Sequence, residues 1–247
     1  MNNKGPFILN LEKHQRAHQS IISRTTHCNT SEQHAAMLPP EINTHSLDDQ
    51  SDPEYLDRID TKFLLPSRSL NDLIKVLLLK HSVLKINNQT NHPYETIYFD
   101  TPDLALFRMH HNGKLNRYKV RYRLYRSTNT RFFEIKMKTN KNRTIKTRIQ
   151  IEEKSDTGKA AGALCEKMLG NLAHSLQPSL YVSYQRITLL NKQADERITI
   201  DTNLRFSCPN NDLCADRRNL AIVEHKHSRK PSESPFICLT KKFPLKP

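Results

Sequence analysis

Cations recur at every second position in Arg117-Tyr118-Lys119-Val120-Arg121-Tyr122-Arg123-Leu124. With the two-residue period of an extended strand, Arg117, Lys119, Arg121 and Arg123 share one face and Tyr118, Val120, Tyr122 and Leu124 the other. A row of this kind suits a polyanion, because Arg and Lys offer phosphate oxygens both charge and hydrogen bonds. For a single strand, a solvated outer face explains the pattern equally well. The alternation, however, recurs along the chain. Glu134, Lys136 and Lys138 share a face of the run from Phe132, and Lys146, Arg148, Gln150 and Glu152 alternate with Ile145, Thr147, Ile149 and Ile151. Arg197, Thr199 and Asp201 alternate with Ile198 and Ile200, Glu224 and Lys226 with Val223 and His225, and Arg58, Asp60 and Lys62 with Ile59, Thr61 and Phe63. Laid side by side, such strands make a sheet with one apolar and one densely cationic face, which repels itself unless a polyanion occupies it.

Carboxylates punctuate that face. Glu134, Glu152, Asp201 and Glu224 would weaken a plain anion site. They fit one in which they hold Mg²⁺ or Mn²⁺ across phosphates, and they fit equally well as ion-pair partners of neighbouring cations. A platform for single-stranded nucleic acid needs aromatic rings among the cations, whereas Tyr118, Tyr122 and Phe133 lie out of phase with them. A chain of phosphates needs only charge and hydrogen bonds, so phosphate is favoured over nucleic acid as partner.

The elements that must position these residues follow from the pattern. The first strand covers residues 57–65 and stops at Pro66. Ser69 then caps a helix whose Leu70, Leu73, Ile74, Leu77 and Leu78 share one face, with Asp72 in its first turn. Residues 84–86 form a short edge, and residues 94–100 a strand ending at Thr101-Pro102. Asn112-Gly113 predicts a tight hairpin turn that folds the cationic strand back on residues 104–111. Two further hairpins join residues 116–126 to 131–138, and 131–138 to 144–153 through the Asn-Lys-Asn turn at 140–142. A helix covers residues 158–173, held by packing because of its three glycines, and strands follow at 180–189, 195–206 and 220–226. The expected fold is α+β, mainly antiparallel, since consecutive antiparallel strands without long crossovers can close on themselves.

Composition sets the limits. A formal charge of +14 and a pI of about 9.6 imply an acidic partner. No stretch approaches the roughly 18 to 20 apolar residues that span a bilayer. The N-terminus lacks the apolar core of a signal peptide, so a cytoplasmic location is expected. Residues 1–50 read as a disordered polar leader whose His14, His18, His27, His34 and His45 are solvated, and residues 51–247 as one domain. Cys28, Cys165, Cys208, Cys214 and Cys238 form no CxxC pair and read as reduced thiols.

These residues carry a family resemblance. The chain resembles the polyphosphate polymerase (VTC) domain of the CYTH, or triphosphate tunnel metalloenzyme, superfamily. The matching segments are Arg58-Ile-Asp-Thr-Lys62-Phe63, Glu95-Thr-Ile-Tyr-Phe-Asp-Thr-Pro-Asp103, His111 to Arg123, Phe133-Glu-Ile-Lys136, Thr144-Ile-Lys-Thr-Arg148, Tyr184-Gln-Arg186, Arg197-Ile-Thr-Ile-Asp201 and Val223-Glu-His-Lys226, in the family's order. The resemblance implies a closed barrel of about eight antiparallel strands with flanking helices around a phosphate-filled basic tunnel. It implies transfer of the γ-phosphate of ATP onto a growing polyphosphate chain, with Mn²⁺ or Mg²⁺ as cofactor. Carried over by position, Lys62, Arg121, Arg123, Lys136, Lys146, Arg186 and Arg197 are catalytic phosphate ligands. Arg58, Arg148, Lys226 and Lys138 assist substrate binding, with Arg117 and Lys119 at the tunnel mouths. Glu224 is the metal ligand, and Glu134 and Asp201 rank behind it.

The acceptor phosphate is already ionised, so no general base and no catalytic histidine is expected. Family members end with a Ser-Lys-Tyr-like motif near a C-terminal helix. Residues 234–247 lack it, which reads as a truncated end and bears on turnover more than on anion binding. The alternatives are an inorganic triphosphatase of the same superfamily, a non-catalytic polyphosphate-binding module and a nucleic-acid binder.

Overall fold

The computed structural model describes residues 38–39, 41–49, 58–141, 143–152, 157–209, 213–228, 234–240, 242–243 and 245. The leader up to residue 37, with its four histidines and Cys28, lies outside the described residues, as do Asn142 and Lys241. The strands are β1 (Thr44–His45), β2 (Arg58–Pro66), β3 (Ser82–Leu84), β4 (His92–Asp100), β5 (Arg117–Tyr125), β6 (Thr130–Lys138), β7 (Thr144–Ile151), β8 (Gln177–Asn191), β9 (Glu196–Ser207), β10 (Cys214–Arg217) and β11 (Leu220–Ser228). The helices are α1 (Leu70–Leu77), α2 (Ala105–His111), α3 (Thr157–Leu169) and α4 (Pro235–Thr240). Among the described residues, no helix is long and apolar enough to cross a membrane. Cys165, Cys208, Cys214 and Cys238 are free thiols.

The described residues form two compact units, one of residues 95–182 and 206–215 and the other of residues up to 94, 183–205 and from 216 onward. In the first, β5 pairs antiparallel with β6 and β6 with β7. The two-residue period turns Val120, Tyr122 and Leu124 of β5 and Phe133 and Ile135 of β6 into a core with Ile97, Phe99, Leu106 and Cys165. Burying a side chain such as Phe133 or Ile135 stabilises this unit by about 1.5 to 3 kcal/mol each. That burial locks the register, because a slip of one residue would turn the cations inward. Ala161, Cys165 and Leu169 seat α3 on the same core. The helix ends at Leu169 instead of running to Ala173, because Gly170 takes a φ of +58° and a 3-10 turn follows.

Residues 104–111 correct the hairpin expectation. They form a helix, α2, and Asn112-Gly113 ends it. Lys114 N–H donates to Met109 O at 2.9 Å and Gly113 N–H to His110 O at 3.2 Å, a Schellman arrangement with Gly113 at φ +64°. The other end is fixed by Asp100, whose carboxylate accepts from Leu106 N at 2.8 Å and Phe107 N at 2.8 Å. A glycine that needs positive φ serves a helix stop as well as a hairpin, and Asp100 favours the helix.

In the second unit β11 lies between β2 and β9, antiparallel to both. Leu70, Leu73, Ile74 and Leu77 of α1 pack on Leu65, Ile187, Ile198, Ile200 and Val223. Ser69 makes no side-chain cap, because the 3-10 turn Ser67–Ser69 already leads the chain into the helix. The packing starts before residue 51: β1 pairs in parallel with β3, and Leu38 and Ile42 lie on the core. His45, expected to be solvated, is 7 % exposed, with its Nδ1 2.9 Å from Ser82 Oγ.

The hydrogen-bonded strand order is β2-β11-β9-β8-β4-β5-β6-β7. Among the described residues, no pairing joins β2 to β7, so the sheet is not closed into the expected eight-stranded barrel by hydrogen bonds. The physical reason lies in β7, where Lys146, Arg148 and Gln150 are exposed and so is Ile145. Charged side chains on a terminal strand oppose further pairing.

Candidate functional site

The cationic face of the first unit is built by register. Lys119 stands opposite Lys136, which stands opposite Lys146, so three lysines are aligned across β5, β6 and β7. Neighbouring strands are about 4.8 Å apart, and like charges facing each other at such spacing destabilise a sheet. The next row is Arg121, Glu134 and Arg148. Glu134 is fully buried. Its Oε2 accepts from Arg121 Nε at 2.6 Å and lies 2.5 Å from Arg121 Nη2, and its Oε1 lies 2.8 Å from Lys146 Nζ. Burial alone would raise this carboxyl, but Arg121 and Lys146 hold it down at about 2. Glu134 therefore fixes two of the cations in place. Arg123 is buried and donates from Nε to Thr96 Oγ1 at 3.1 Å, while the Arg148 guanidinium lies 4.8 Å over the Phe132 ring. Arg117 and Lys138 face each other at the strand ends, and Glu152 is exposed past the end of β7.

The second unit carries a face of its own. Lys62, Glu224 and Thr199 form one cross-strand row and Asp60, Lys226 and Arg197 the next. Glu224 Oε1 accepts from Lys62 Nζ, and its Oε2 lies 3.4 Å from Lys226 Nζ. Burial would raise the Glu224 carboxyl, but Lys226 and Lys62 bring it down to about 2. Asp201 receives Arg186 through two bonds, from Nε at 2.6 Å and Nη2 at 2.7 Å. The same guanidinium lies over the rings of Tyr94 and Tyr184, 5.0 and 5.2 Å from their centroids, which fixes its plane as well as its charge. Arg58 opens β2 opposite Ser228.

The sequence candidates thus fall into two groups. Arg121, Arg123, Lys136, Lys138, Lys146, Arg148 and Glu134 come together with Arg117 and Lys119 in one unit, and Lys62, Arg186, Arg197, Lys226, Glu224 and Asp201 in the other. Among the described residues, no cluster of three or more His, Cys, Asp or Glu side chains could hold a metal. The candidate carboxylates differ in their fit to a divalent ion. Arg186 engages both oxygens of Asp201, and Arg121 holds one oxygen of Glu134 while Lys146 Nζ lies 2.8 Å from the other. Glu224 has Lys62 as its nearer partner, whose side chain is 62 % exposed and able to swing away. A single carboxylate of that kind fits an ion that takes the rest of its shell from phosphate oxygens and water.

Sequence reasoning missed a third cluster, on the core side of the second unit. Glu196 is buried, with Oε1 2.8 Å from His81 Nε2 and Oε2 accepting from His225 Nε2 at 2.9 Å and Ser234 Oγ at 2.5 Å. His81 Nδ1 bonds Leu77 O at 2.8 Å, and Phe236 packs 4.6 Å from the His225 ring. The cluster ties the end of α1, β9, β11 and the start of α4 together. The signal was a carboxylate in the phase of Ile198 and Ile200, where a core residue belongs.

Residues 57–237 match the VTC domain family model. The structure is similar to a candidate adenylate cyclase from Bacillus halodurans, with a TM-score of 0.51 and 16 % identity over 76 % of this chain and 89 % of that one. It is also similar to a candidate adenylyl cyclase from Hippeastrum described by its dominant triphosphatase activity, with a TM-score of 0.47 and 14 % identity over 77 % and 90 % of the chains. A candidate adenylate cyclase from Vibrio parahaemolyticus gives a TM-score of 0.43 and 12 % identity over 74 % and 83 %. At 16 % identity the likeness to the Bacillus halodurans protein is one of fold. No curated protein sequence matches the chain.

Proposed function

The chain belongs to the VTC domain family, within the triphosphate tunnel or CYTH superfamily, and on that premise we propose that it is a polyphosphate polymerase using ATP. The observation that carries this reading is the pair of neighbouring rows Lys119-Lys136-Lys146 and Arg121-Glu134-Arg148, five cations and one carboxylate aligned by strand register. Such an excess of positive charge on one face suits an anion with several charges along its length.

The chemistry asks for little beyond this. A terminal oxygen of the polyphosphate attacks the γ-phosphorus of ATP, the bond from that phosphorus to the bridging oxygen breaks, and ADP leaves with the electron pair. The acceptor oxygen carries no proton, so none has to be removed. The protein's task is to hold two polyanions against their mutual repulsion. Arg121, Arg123, Lys136 and Lys146 on one face, and Lys62, Arg186 and Arg197 on the other, are the proposed phosphate ligands. Lys138, Arg148, Arg58 and Lys226 extend the binding. Glu134 and Asp201 orient cations in this reading, and Glu224 would hold a divalent ion, Mn²⁺ or Mg²⁺. When bound, such an ion neutralises charge on the phosphate oxygens.

Incubation with ATP and Mn²⁺, followed by electrophoresis of the product, tests the reading. Long polyphosphate together with ADP is expected, and Glu224→Gln should abolish metal-dependent turnover while circular dichroism shows the fold retained. Orthophosphate as the only product would make the protein a hydrolase. Tight polyphosphate binding without turnover would make it a binding module.

A further inference from the structure

The cationic face of the first unit also carries a phenol. Tyr98 lies on β4, which neighbours β5 in the strand order. Ile97 and Phe99 on either side of it are buried in the apolar core, so the strand period turns Tyr98, like Thr96, toward the side of the cations. The contacts agree with that placement. Arg123 donates to Thr96 Oγ1 at 3.1 Å, and the Arg121 guanidinium lies beside the Tyr98 phenol. Guanidinium has no acceptor, so between the two groups the phenol oxygen can only accept, which leaves the O–H proton for another acceptor.

We propose that Tyr98 is a phosphate-contacting residue: its oxygen holds Arg121 in place opposite Glu134, and its O–H donates to a bound phosphate oxygen. The proposal rests on the reading that this face binds phosphate, and it adds to that reading a neutral donor with an alkaline limit. A protonated phenol strengthens the site. An ionised one places an anion against Arg121 and competes with phosphate for it. The charged groups around it are Lys119, Arg121 and Arg123. On its other flank, residues 177–182 of β8 carry no charge, Ser179 Oγ donates to Tyr98 O at 3.2 Å, and Tyr181 is buried in the apolar core. Burial would raise the phenol, but Arg121, Arg123 and Lys119 outweigh it and leave it below its ordinary value. Its ionisation therefore precedes that of ordinary lysines, which titrate near ~10.4.

Calorimetric titration of inorganic tripolyphosphate into the wild type and Tyr98→Phe, from pH 7 to 10.5 at fixed ionic strength, tests the proposal. At pH 7 the variant should bind about tenfold more weakly, the worth of one hydrogen bond to a charged group. As pH rises, the wild type should lose affinity first, so that the two curves converge. A purely structural role would leave the ratio constant across the range, and that result, or equal affinity at pH 7, overturns the proposal. A second measurement needs no variant: bound tripolyphosphate should move the ionisation of one phenol to higher pH in the tyrosinate absorbance of the wild type, and an unmoved titration also overturns it. If the wild type binds no tripolyphosphate at any pH, the phosphate reading of the face falls, and this proposal with it.

Discussion

Replacing Glu134 by glutamine keeps the shape of the side chain and removes the charge that Arg121 and Lys146 share. In the wild type this carboxyl is held at about 2 against an ordinary 4.5, which corresponds to about 3 kcal/mol of stability at neutral pH. The Lys146 side chain is 39 % exposed, and water screens its share, so about 2 kcal/mol is the working figure for the lost pairing. Arg121, 12 % exposed, is then left facing a neutral amide, which brings the expected loss to about 2 to 4 kcal/mol. For a protein of this size that lowers Tm by about 5 to 15 °C. The folded-state value is depressed, so the stabilisation is complete above 4.5 and is lost as pH falls through about 2. Urea unfolding of both proteins from pH 6.5 to 3 should therefore show a stability gap that narrows by roughly half. The other carboxylates are common to both proteins and cancel in the difference. A gap that stays constant over this range, or no gap at pH 6.5, would refute the assignment of Glu134 as the buried counter-ion.

Removing the middle charge of the lysine row with Lys136→Met should weaken tripolyphosphate binding about tenfold, the worth of one hydrogen bond to a charged group. Unchanged affinity in calorimetric titration would mean that the row does not touch the phosphates. Glu196→Gln should cost about 3 kcal/mol by leaving the His81 and His225 rings without their carboxylate. Burial opposes the ionised form of Glu196, but the bonds from His225, His81 and Ser234 bring it to about 2, so in acid unfolding its contribution should disappear below 4.5 and be gone once pH passes through that value. Gly113→Ala should cost about 1 kcal/mol in urea unfolding, because at φ +64° the penalty is one of backbone alone, with nothing within 4 Å of an added Cβ; an unchanged midpoint would remove the Schellman account of the α2 stop.

The sequence was most informative where burial enforces a period. Val120, Tyr122, Phe133, Ile135, Ile198, Ile200 and Val223 all lie where alternation puts them, and the facing cations follow because a strand has only two sides. Asn112-Gly113 is ambiguous in sequence because positive φ is common to hairpin turns and helix stops, and what decides between them, the carboxylate of Asp100 on the N-terminus of α2, lies outside the turn. Leu38 and Ile42 have no period of their own and gain their place from a core made elsewhere in the chain, so their packing is not legible in the sequence. Closure into a barrel depends on whether the end strands pair, and a strand such as β7, with its charged face exposed, carries no internal mark of a partner.

Side-chain partners were the least legible part, and the carboxylates show why. Glu134, Asp201 and Glu224 share one phase and one kind of neighbour in the sequence, yet the structure separates them by how firmly their cations are held. Arg121 and Arg186 are mostly buried and each meets its carboxylate through two nitrogens, so neither leaves its place without leaving a charge exposed to low dielectric. A cation fixed in this way loses little conformational freedom when a phosphate arrives, and what it offers the ligand is pre-set. Lys62 is exposed and bonds Glu224 through one flexible stem, so a phosphate can draw it away and release the carboxylate for other use. Pairing that looks alike in sequence thus gives two behaviours: carboxylates that build the face, and one that can respond to what the face binds.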